Sequence, residues 1–240
     1  MTKDYNIIYL DWDGVLWDFM QAFCDWFRLD PPKTDKWEFY EELSMTADKF
    51  HEELGNLPQD FWEQKKYMLP HAQDLVDWAK KNAEKVFVLT VAPEWTASAG
   101  KQTLAREHFN LSVLTVVKAE EKTEYAKKGC LLIDDKGSTV VRFASESRWG
   151  VISSGSGFVW PANYNKGLDP SWYFDLSWLE KAESSVNWLY DTNLYDYSGK
   201  IEKAEEPSDT LGIATNKRAN IYAVNEEPSV TLGMDTHKGD

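Results

Sequence analysis

Apolar segments of strand length alternate with helical segments along most of the first 165 residues of this 240-residue chain. This alternation favours a parallel sheet, because each helix provides the crossover between two strands. The predicted strands are 6–10, 86–90, 112–117, 131–134 and 150–153. The predicted helices are 15–28, 71–81, 97–109, 138–148 and 176–190, with Ser138 as an N-cap candidate. The sequence therefore predicts an α/β fold with a doubly wound, Rossmann-like parallel sheet.

Residues 30–70 interrupt the alternation soon after the first strand. They are polar and aromatic, with weak helical pieces and no obvious strand. We interpret this segment as a small helical cap that is inserted over the carboxyl edge of the sheet. Ligands of such sheets bind at that edge, because strand ends and loops converge there.

The predicted core, residues 1–165, is followed by an acidic extension over 166–240. The extension has seven Lys and Arg against fourteen Asp and Glu, and it contains the near-repeat EEPSDTLG (205–212) and EEPSVTLG (226–233). Charge and weak patterning of this kind are typical of a solvated, partly disordered appendage.

Charge and composition restrict the partners of this chain. The net charge of -14 disfavours a nucleic-acid partner, which selects clustered Lys and Arg, but it is compatible with a small phosphorylated substrate. The sequence has no apolar run long enough for a membrane span, so we expect no membrane partner. Two lone cysteines, Cys24 and Cys130, suggest a reducing compartment, and we expect a cytoplasmic location. The oligomeric state stays open, with a homodimer as one option.

Polar side chains occur where the predicted strands end. They are Asp11 and Asp13 after the first strand, Thr90 at the end of the second, Lys118 and Lys122 between the third and fourth, and Asp134 and Asp135 at the end of the fourth. Carboxylates grouped at one edge repel one another unless a cation lies among them. Hard oxygen ligands favour Mg²⁺, which bridges to phosphate oxygens, and lysine and threonine complete an anion site.

The first of these motifs has the parts needed for phosphoryl transfer. Asp11 can attack phosphorus and form an aspartyl-phosphate, while Asp13 can protonate the leaving oxygen and later activate water. Gly14 allows the tight turn that brings both carboxylates together. Asp-x-Asp-Gly also occurs in calcium loops, but residues 15–17 do not supply the further oxygen ligands that such a loop needs.

The order of the motifs resembles the haloacid dehalogenase (HAD) superfamily. The matching segments are DWDGV at 11–15, VLT at 88–90, a lysine at 118 or 122, and LLIDDK at 131–136. Over about residues 5–165, finer details resemble the 5'(3')-deoxyribonucleotidases of phages and bacteria. These details are the LIDD form of the fourth motif, the compact helical insert, the stretch LPHAQDLVDW, and Thr90 followed by Pro93.

This resemblance implies Asp11 as nucleophile and Asp13 as acid and base. It implies Mg²⁺ held by Asp11, the Asp13 carbonyl and Asp134, with Asp135 in support. Thr90 and a lysine would bind phosphate. Lys122 is favoured because it precedes Thr123, and Lys118 is the alternative.

By analogy with the family, Phe61 and Trp62 in the insert are candidates to stack on a nucleobase. They could equally pack the insert onto the core. Two features depart from the family pattern. Trp12 is bulkier than the usual residue between the two aspartates, and the stretch 90–93, Thr-Val-Ala-Pro, lacks a hydroxyl that relatives often have.

The sequence thus predicts a Mg²⁺-dependent phosphomonoesterase that acts on deoxynucleoside monophosphates. Alternatives are the same chemistry on another small phosphate ester, or a non-catalytic binding protein that retains the HAD fold. A phosphatase that acts on nucleic-acid ends is disfavoured by the acidic charge.

Overall fold

A computed structural model describes residues 3–33, 36, 38–92, 94–145, 155–162 and 170–179 of the chain. Its strands are β1 (Tyr5–Leu10), β2 (Ala83–Val91), β3 (Ser112–Val116), β4 (Cys130–Asp134) and β5 (Ser156–Val159). They form one sheet in the order β3-β2-β1-β4-β5, and every neighbouring pair is parallel. The predicted parallel α/β fold is therefore confirmed.

Helices connect the strands. The α-helices are α1 (Phe19–Phe27), α2 (Ala47–Gly55), α3 (Gln59–Trp62), α4 (Ala72–Asn82), α5 (Trp95–Phe109) and α6 (Gly137–Ser145). Short 3-10 helices span Phe39–Glu41, Lys65–Tyr67, Ala119–Tyr125, Pro170–Trp172 and Leu176–Trp178. The pieces between residues 39 and 67 form the helical insert that the sequence predicts.

Both faces of the sheet are covered, as a doubly wound fold requires. In β1, Ile8 and Leu10 belong to the larger hydrophobic cluster, whereas Tyr9 belongs to the smaller one. This split follows from the period of two in a strand, which directs successive side chains to opposite faces. The larger cluster includes Leu104 of α5, and the smaller includes Phe143 of α6, so the two helices cover opposite faces.

The strand order reverses beside β1. Chain order proceeds outward through β2 and β3 on one side, and through β4 and β5 on the other. A crevice forms outside the carboxyl ends of the strands at such a reversal, and ligands bind there. The carboxyl ends of β1 and β4 therefore frame the candidate site.

The first helix begins later than predicted. Residues 15–17 are fully buried in a turn, and α1 begins after Asp18, whose carboxylate accepts a hydrogen bond from Gln21 N at 3.0 Å. The turn stays closed because Trp12 O accepts hydrogen bonds from the backbone N–H groups of Leu16 and Trp17 at 2.9 and 3.0 Å. Apolar spacing alone does not distinguish this buried turn from the first turn of a helix.

Two boundaries near the end of the core also differ from the prediction. Helix α6 begins at Gly137, so Ser138 lies in its first turn and is not its N-cap. The fifth strand is Ser156–Val159, whereas the predicted strand at 150–153 lies outside the described residues. The same is true of the predicted helix beyond residue 179.

Residues 170–179, which follow the predicted boundary at 165, pack against the core. The Phe174 N–H donates to Val159 O at 2.9 Å, and the Phe174 side chain is buried. Trp178 stacks on Trp78 of α4 with ring centroids 5.8 Å apart. Apolar side chains of this segment thus extend the packing of β5 and α4. The remainder of the extension, residues 166–169 and 180–240, lies outside the described residues.

A buried histidine links the turn after β1 to the rest of the core. His71 lies immediately before α4, is 1% exposed, and stacks on Trp160 with ring centroids 4.3 Å apart. Its Nε2 lies 2.8 Å from Val15 O, which fixes the buried turn. Burial lowers the pKa of His71 to about 4. The ring is therefore neutral in the folded protein near neutral pH.

Because His71 is buried and neutral, we predict that the free energy of unfolding decreases in mild acid. The folded-state pKa lies below the ordinary value of 6.5, so the unfolded chain binds a proton more readily as the pH falls below 6.5. Between pH 7 and pH 5 this group should lower the free energy of unfolding by about 2 kcal/mol. Urea denaturation at both pH values should show a smaller pH dependence in His71→Gln, which keeps an N–H donor for Val15 O. An unchanged pH dependence would contradict this account.

Candidate active site

Asp11 and Asp13 lie directly beyond the carboxyl end of β1. The Asp11 N–H donates to Ile133 O at 2.9 Å, which continues the pairing of β1 with β4 and fixes the backbone of Asp11 beside that strand. Gly14 has φ of 74°, a conformation that residues with a Cβ rarely adopt, and its N–H donates to Trp17 O at 2.9 Å. Gly14 therefore permits the turn that keeps Asp13 at the sheet edge.

Lys122 connects the ends of β1 and β4. Its Nζ lies 2.9 Å from Asp11 Oδ1 and 2.7 Å from Asp134 Oδ2, and its side chain is 2% exposed. Lys122 reaches this position from the 3-10 helix that follows β3. Asp11 Oδ1 also accepts a hydrogen bond from Trp12 N at 2.7 Å, and Asp134 Oδ1 accepts one from Lys136 N at 2.8 Å. The orientation of both carboxylates is therefore fixed by ionic and backbone contacts.

A second buried lysine, which the sequence did not identify as a site residue, contacts Asp13. Lys101 on α5 is 1% exposed, and its Nζ lies 2.5 Å from Asp13 Oδ2 and 3.1 Å from Thr90 Oγ1. Thr90, at the end of β2, is fully buried. The edge of the sheet thus contains two buried lysines, one beside Asp11 and one beside Asp13.

Lys101 could have been found from its place in the helical pattern. It falls four residues after Ala97 and three before Leu104, so it shares the face of α5 that packs on the core. A lysine on an apolar stripe must find a buried partner or leave the stripe. The position of Lys101 on the apolar face of α5 could therefore be recognised from the sequence, but its partner Asp13 could not.

Three carboxylates are close enough to bind one cation. Among the described residues, oxygen atoms of Asp11, Asp134 and Asp135 all lie within 4.8 Å of one another, and all three residues are buried. With Asp13, the site has four carboxylates against two buried lysines. Its formal charge is therefore -2. Hard oxygen ligands and this charge fit a divalent cation such as Mg²⁺.

The pKa shifts reflect this crowding. Burial raises the pKa of Asp134 to about 6, although Lys122 acts to lower it. Burial also raises the pKa of Asp13, against the lowering effect of Lys101 and with a further increase from the charge of Asp11. Burial alone would lower the pKa of Lys122, but the neighbouring carboxylates outweigh it and raise the pKa. The carboxylates therefore occupy a setting that favours additional positive charge.

The predicted site residues that meet at this edge are Asp11, Asp13, Thr90, Lys122, Asp134 and Asp135. Lys122 is buried between Asp11 and Asp134, whereas Lys118 is exposed at the start of the 3-10 helix. Of the two lysine candidates, only Lys122 contacts the other predicted site residues in the part of the chain that the structure describes.

The position of Phe61 and Trp62 favours packing of the insert onto the core over stacking on a nucleobase, the two roles that the sequence left open. Phe61 is fully buried and Trp62 is 5% exposed, and both pack against Trp17 with ring centroids 5.6 and 6.0 Å apart. Phe19 stacks on Trp62 at 5.9 Å. Neither ring offers a free face to a ligand, because both attach the insert to the core.

Comparison with known proteins gives a structural likeness only. No family model and no curated protein matches the sequence. The chain is similar to YfnB of Bacillus subtilis, described as a HAD-hydrolase bound to magnesium, at 16% identity over 56% of this chain and 79% of that chain, with a TM-score of 0.34. It is also similar to a HAD-superfamily hydrolase of subfamily IA, variant 1, from Geobacter sulfurreducens, at 16% identity over 56% of this chain and 82% of that chain, with a TM-score of 0.35. At this level of similarity, a functional assignment depends on the site itself.

No helix within the described ranges combines the length and the apolar character needed to cross a bilayer.

We predict that replacing the two candidate lysines changes stability by very different amounts. Lys122→Met would leave the buried carboxylates of Asp11 and Asp134 without their cation, and should lower the free energy of unfolding by about 3–5 kcal/mol. Lys118→Met removes an exposed charge and should change it by less than about 0.5 kcal/mol. Urea denaturation of both variants without added metal measures the difference. Equal stability of the two variants would contradict the ionic role given to Lys122.

Proposed function

We propose that this protein is a Mg²⁺-dependent phosphomonoesterase of the HAD type, with Asp11 as its nucleophile. The observation that supports this best is the group of three buried carboxylates, Asp11, Asp134 and Asp135, whose oxygen atoms lie within 4.8 Å of one another. Lys122 contacts two of them and can also attract a phosphate. A nucleophile, a cation site and a phosphate-binding cation thus occur at one sheet edge.

Asp11 and Asp13 carry the two chemical steps. An Asp11 carboxylate oxygen attacks phosphorus, the bond from phosphorus to the ester oxygen breaks, and that oxygen takes a proton from Asp13. A water molecule then attacks the aspartyl-phosphate and transfers a proton to Asp13. The bond from phosphorus to the Asp11 oxygen breaks, which releases inorganic phosphate and regenerates the Asp11 carboxylate.

The other residues bind and orient the phosphate. Lys122 neutralises charge on the phosphate oxygens, and Thr90 supplies a hydroxyl donor at the end of β2. Asp11, Asp134 and the Asp13 carbonyl would hold Mg²⁺, with Asp135 beside them. When bound, Mg²⁺ would neutralise the excess negative charge and polarise a phosphate oxygen.

We propose deoxynucleoside monophosphates as the substrates. This choice rests on the motif resemblance, since the residues at the sheet edge recognise a phosphate group that many esters share. Other small phosphate esters are the alternative. Phosphate release from deoxynucleoside 5'- and 3'-monophosphates, ribonucleotides and sugar phosphates, compared at equal concentration, tests it. A preference for sugar phosphates would contradict the nucleotide assignment and leave the phosphatase assignment in place.

The carboxylate group predicts a requirement for a divalent cation. Phosphate release should need Mg²⁺ and disappear with EDTA. Mg²⁺ should also raise the thermal unfolding temperature of the parent protein, because it binds only the folded state. Asp134→Asn should reduce this rise, whereas Asp48→Asn, which alters an exposed carboxylate on α2, should keep it. Full activity in a metal-free sample would contradict the proposal.

The roles of the two aspartates predict different failures. Asp11→Asn should abolish turnover, because an amide cannot form the aspartyl-phosphate. Asp13→Asn should slow turnover by about 10²–10⁴-fold, as loss of an acid and base does. Intact-mass spectrometry of acid-quenched samples should detect the phosphoryl adduct in Asp13→Asn but not in Asp11→Asn. Near-parental turnover by Asp11→Asn, with its fold checked by circular dichroism, would contradict covalent catalysis.

A further inference from the structure

All three protons of the Lys101 ammonium group have acceptors inside the protein. Nζ lies 2.5 Å from Asp13 Oδ2, 3.1 Å from Thr90 Oγ1 and 3.0 Å from Val91 O. An ammonium group has three N–H donors and no acceptor, so these contacts use them all. Lys101 is also 1% exposed. It therefore has no donor left for a substrate, although it lies among the site residues.

Lys122 differs from Lys101 in this respect. Its Nζ has two acceptors among the described residues, Asp11 Oδ1 at 2.9 Å and Asp134 Oδ2 at 2.7 Å. One of its three N–H donors remains for a phosphate oxygen. The two buried lysines thus have different hydrogen-bonding capacity, which separates a residue that can bind substrate from one that can only orient its neighbours.

The contact with Lys101 determines how Thr90 can act. A threonine hydroxyl has one proton to donate and lone pairs to accept. Because Thr90 Oγ1 accepts a hydrogen bond from Lys101 at 3.1 Å, its own proton must point elsewhere. Thr90 is thereby fixed as a donor, the role that a phosphate oxygen requires.

The contact with Lys101 also makes the two oxygens of Asp13 unequal. Oδ2 accepts a hydrogen bond from Lys101, whereas Oδ1 is buried and has no hydrogen-bond partner among the described residues. A buried carboxylate oxygen without a partner is unfavourable unless a ligand or a proton satisfies it. The contact with Lys101 through Oδ2 therefore fixes the orientation of the Asp13 carboxylate.

We propose that Lys101 is a positioning residue that holds the Asp13 carboxylate in one orientation and fixes Thr90 as a donor to phosphate. This inference rests on the proposed function and assigns a role to a residue that does not contact the substrate. Lys101 acts through Asp13 in both steps, first when Asp13 gives a proton to the leaving oxygen and then when Asp13 takes a proton from water.

The insert holds Lys101 in place. Its Nζ lies 4.9 Å from the centroid of the Trp62 ring, a favourable contact between a cation and an aromatic face. The neighbouring residue must be glycine for this approach, because a Cβ on Gly100 would lie 2.4 Å from Trp62 Cβ. Trp62 is buried and still affects the site, because it helps to hold Lys101, which in turn holds Asp13.

Rapid-quench kinetics of Lys101→Met tests the proposal, because methionine keeps a buried, unbranched side chain and removes the donors. With p-nitrophenyl phosphate, whose leaving group departs without a proton, the first turnover should remain within about threefold of the parent. The later steady state should fall by about 100-fold, because water activation needs Asp13. The result is a burst of nitrophenolate and an accumulated phosphoryl adduct. With an alkyl phosphate, the first turnover itself should slow by about 100-fold.

Lys122→Met is the matched control, because it removes the lysine that can bind phosphate. It should slow the first turnover on both substrates and raise KM for both. If Lys101→Met shows the same pattern, Lys101 binds phosphate and the proposal is wrong. If Lys101→Met matches the parent on both substrates, Lys101 has no role in positioning and the proposal is also wrong.

Two further measurements keep the test independent of folding and of the proposed function. Lys101→Arg keeps the charge, but its planar fork cannot direct one nitrogen to all three acceptors. It should show a partial form of the same burst, and a fully parental profile would overturn the proposal. A crystal structure of Lys101→Met should show the Asp13 carboxylate turned from its parental orientation, whether or not the parent hydrolyses a phosphate ester. An unmoved carboxylate would overturn the proposal.

Discussion

The burial of like charges at one edge of the sheet is the constraint on which the rest of this structure depends. Asp11, Asp134 and Asp135 are 7%, 1% and 6% exposed. Carboxylates at such depth are strongly unfavourable unless cations and hydrogen bonds compensate for lost water. Lys122 and Lys101 supply part of that compensation. Lys122 follows β3 and Lys101 follows β2, and both strands lie on the opposite side of β1 from β4. The site therefore requires correct crossovers as well as correct strand ends, and the sheet order is as important to its chemistry as the motifs.

The helical insert is attached to this edge by aromatic packing. Phe61 and Trp62 bury their rings against Trp17, which itself belongs to the turn that carries Asp13. The insert and the turn thus share one hydrophobic cluster. A change in the packing of the insert would reach the site through the side chains of that turn and through Lys101. Under the proposed function, recognition of the group that carries the phosphate must use side chains other than these two, because their faces are already occupied.

The sequence was sufficient to predict the sheet and the carboxylates, but not the lysine network or the fate of the aromatic pair. Buried parallel strands are apolar on both faces, so their polar ends stand out, as at Asp11 and Asp134. Lys101 gave a weaker signal, because a helical lysine is usually solvated and its acceptors come from distant strands. The roles of Phe61 and Trp62 could not be decided from the sequence, since an aromatic residue can either pack in the core or stack on a ligand. Local sequence patterns thus predicted the polar residues at the strand ends, whereas contacts between different helices and strands could be identified only from the structure.

The unsatisfied oxygen of Asp13 is easier to understand as part of a functional site than as part of a stable core. A buried acceptor without a donor costs about 1–3 kcal/mol, which a marginally stable protein would avoid elsewhere. The same side chain makes a 2.5 Å contact through its other oxygen, so its neighbours do supply a donor, but only on one side. The ion pair with Lys101 offsets part of this cost, because it places a cation beside the carboxylate on that side. The energetic penalty at Asp13 and the saturation of the Lys101 donors are therefore two consequences of a single arrangement, in which the lysine fixes one oxygen of the carboxylate and the surrounding fold leaves the other without a donor.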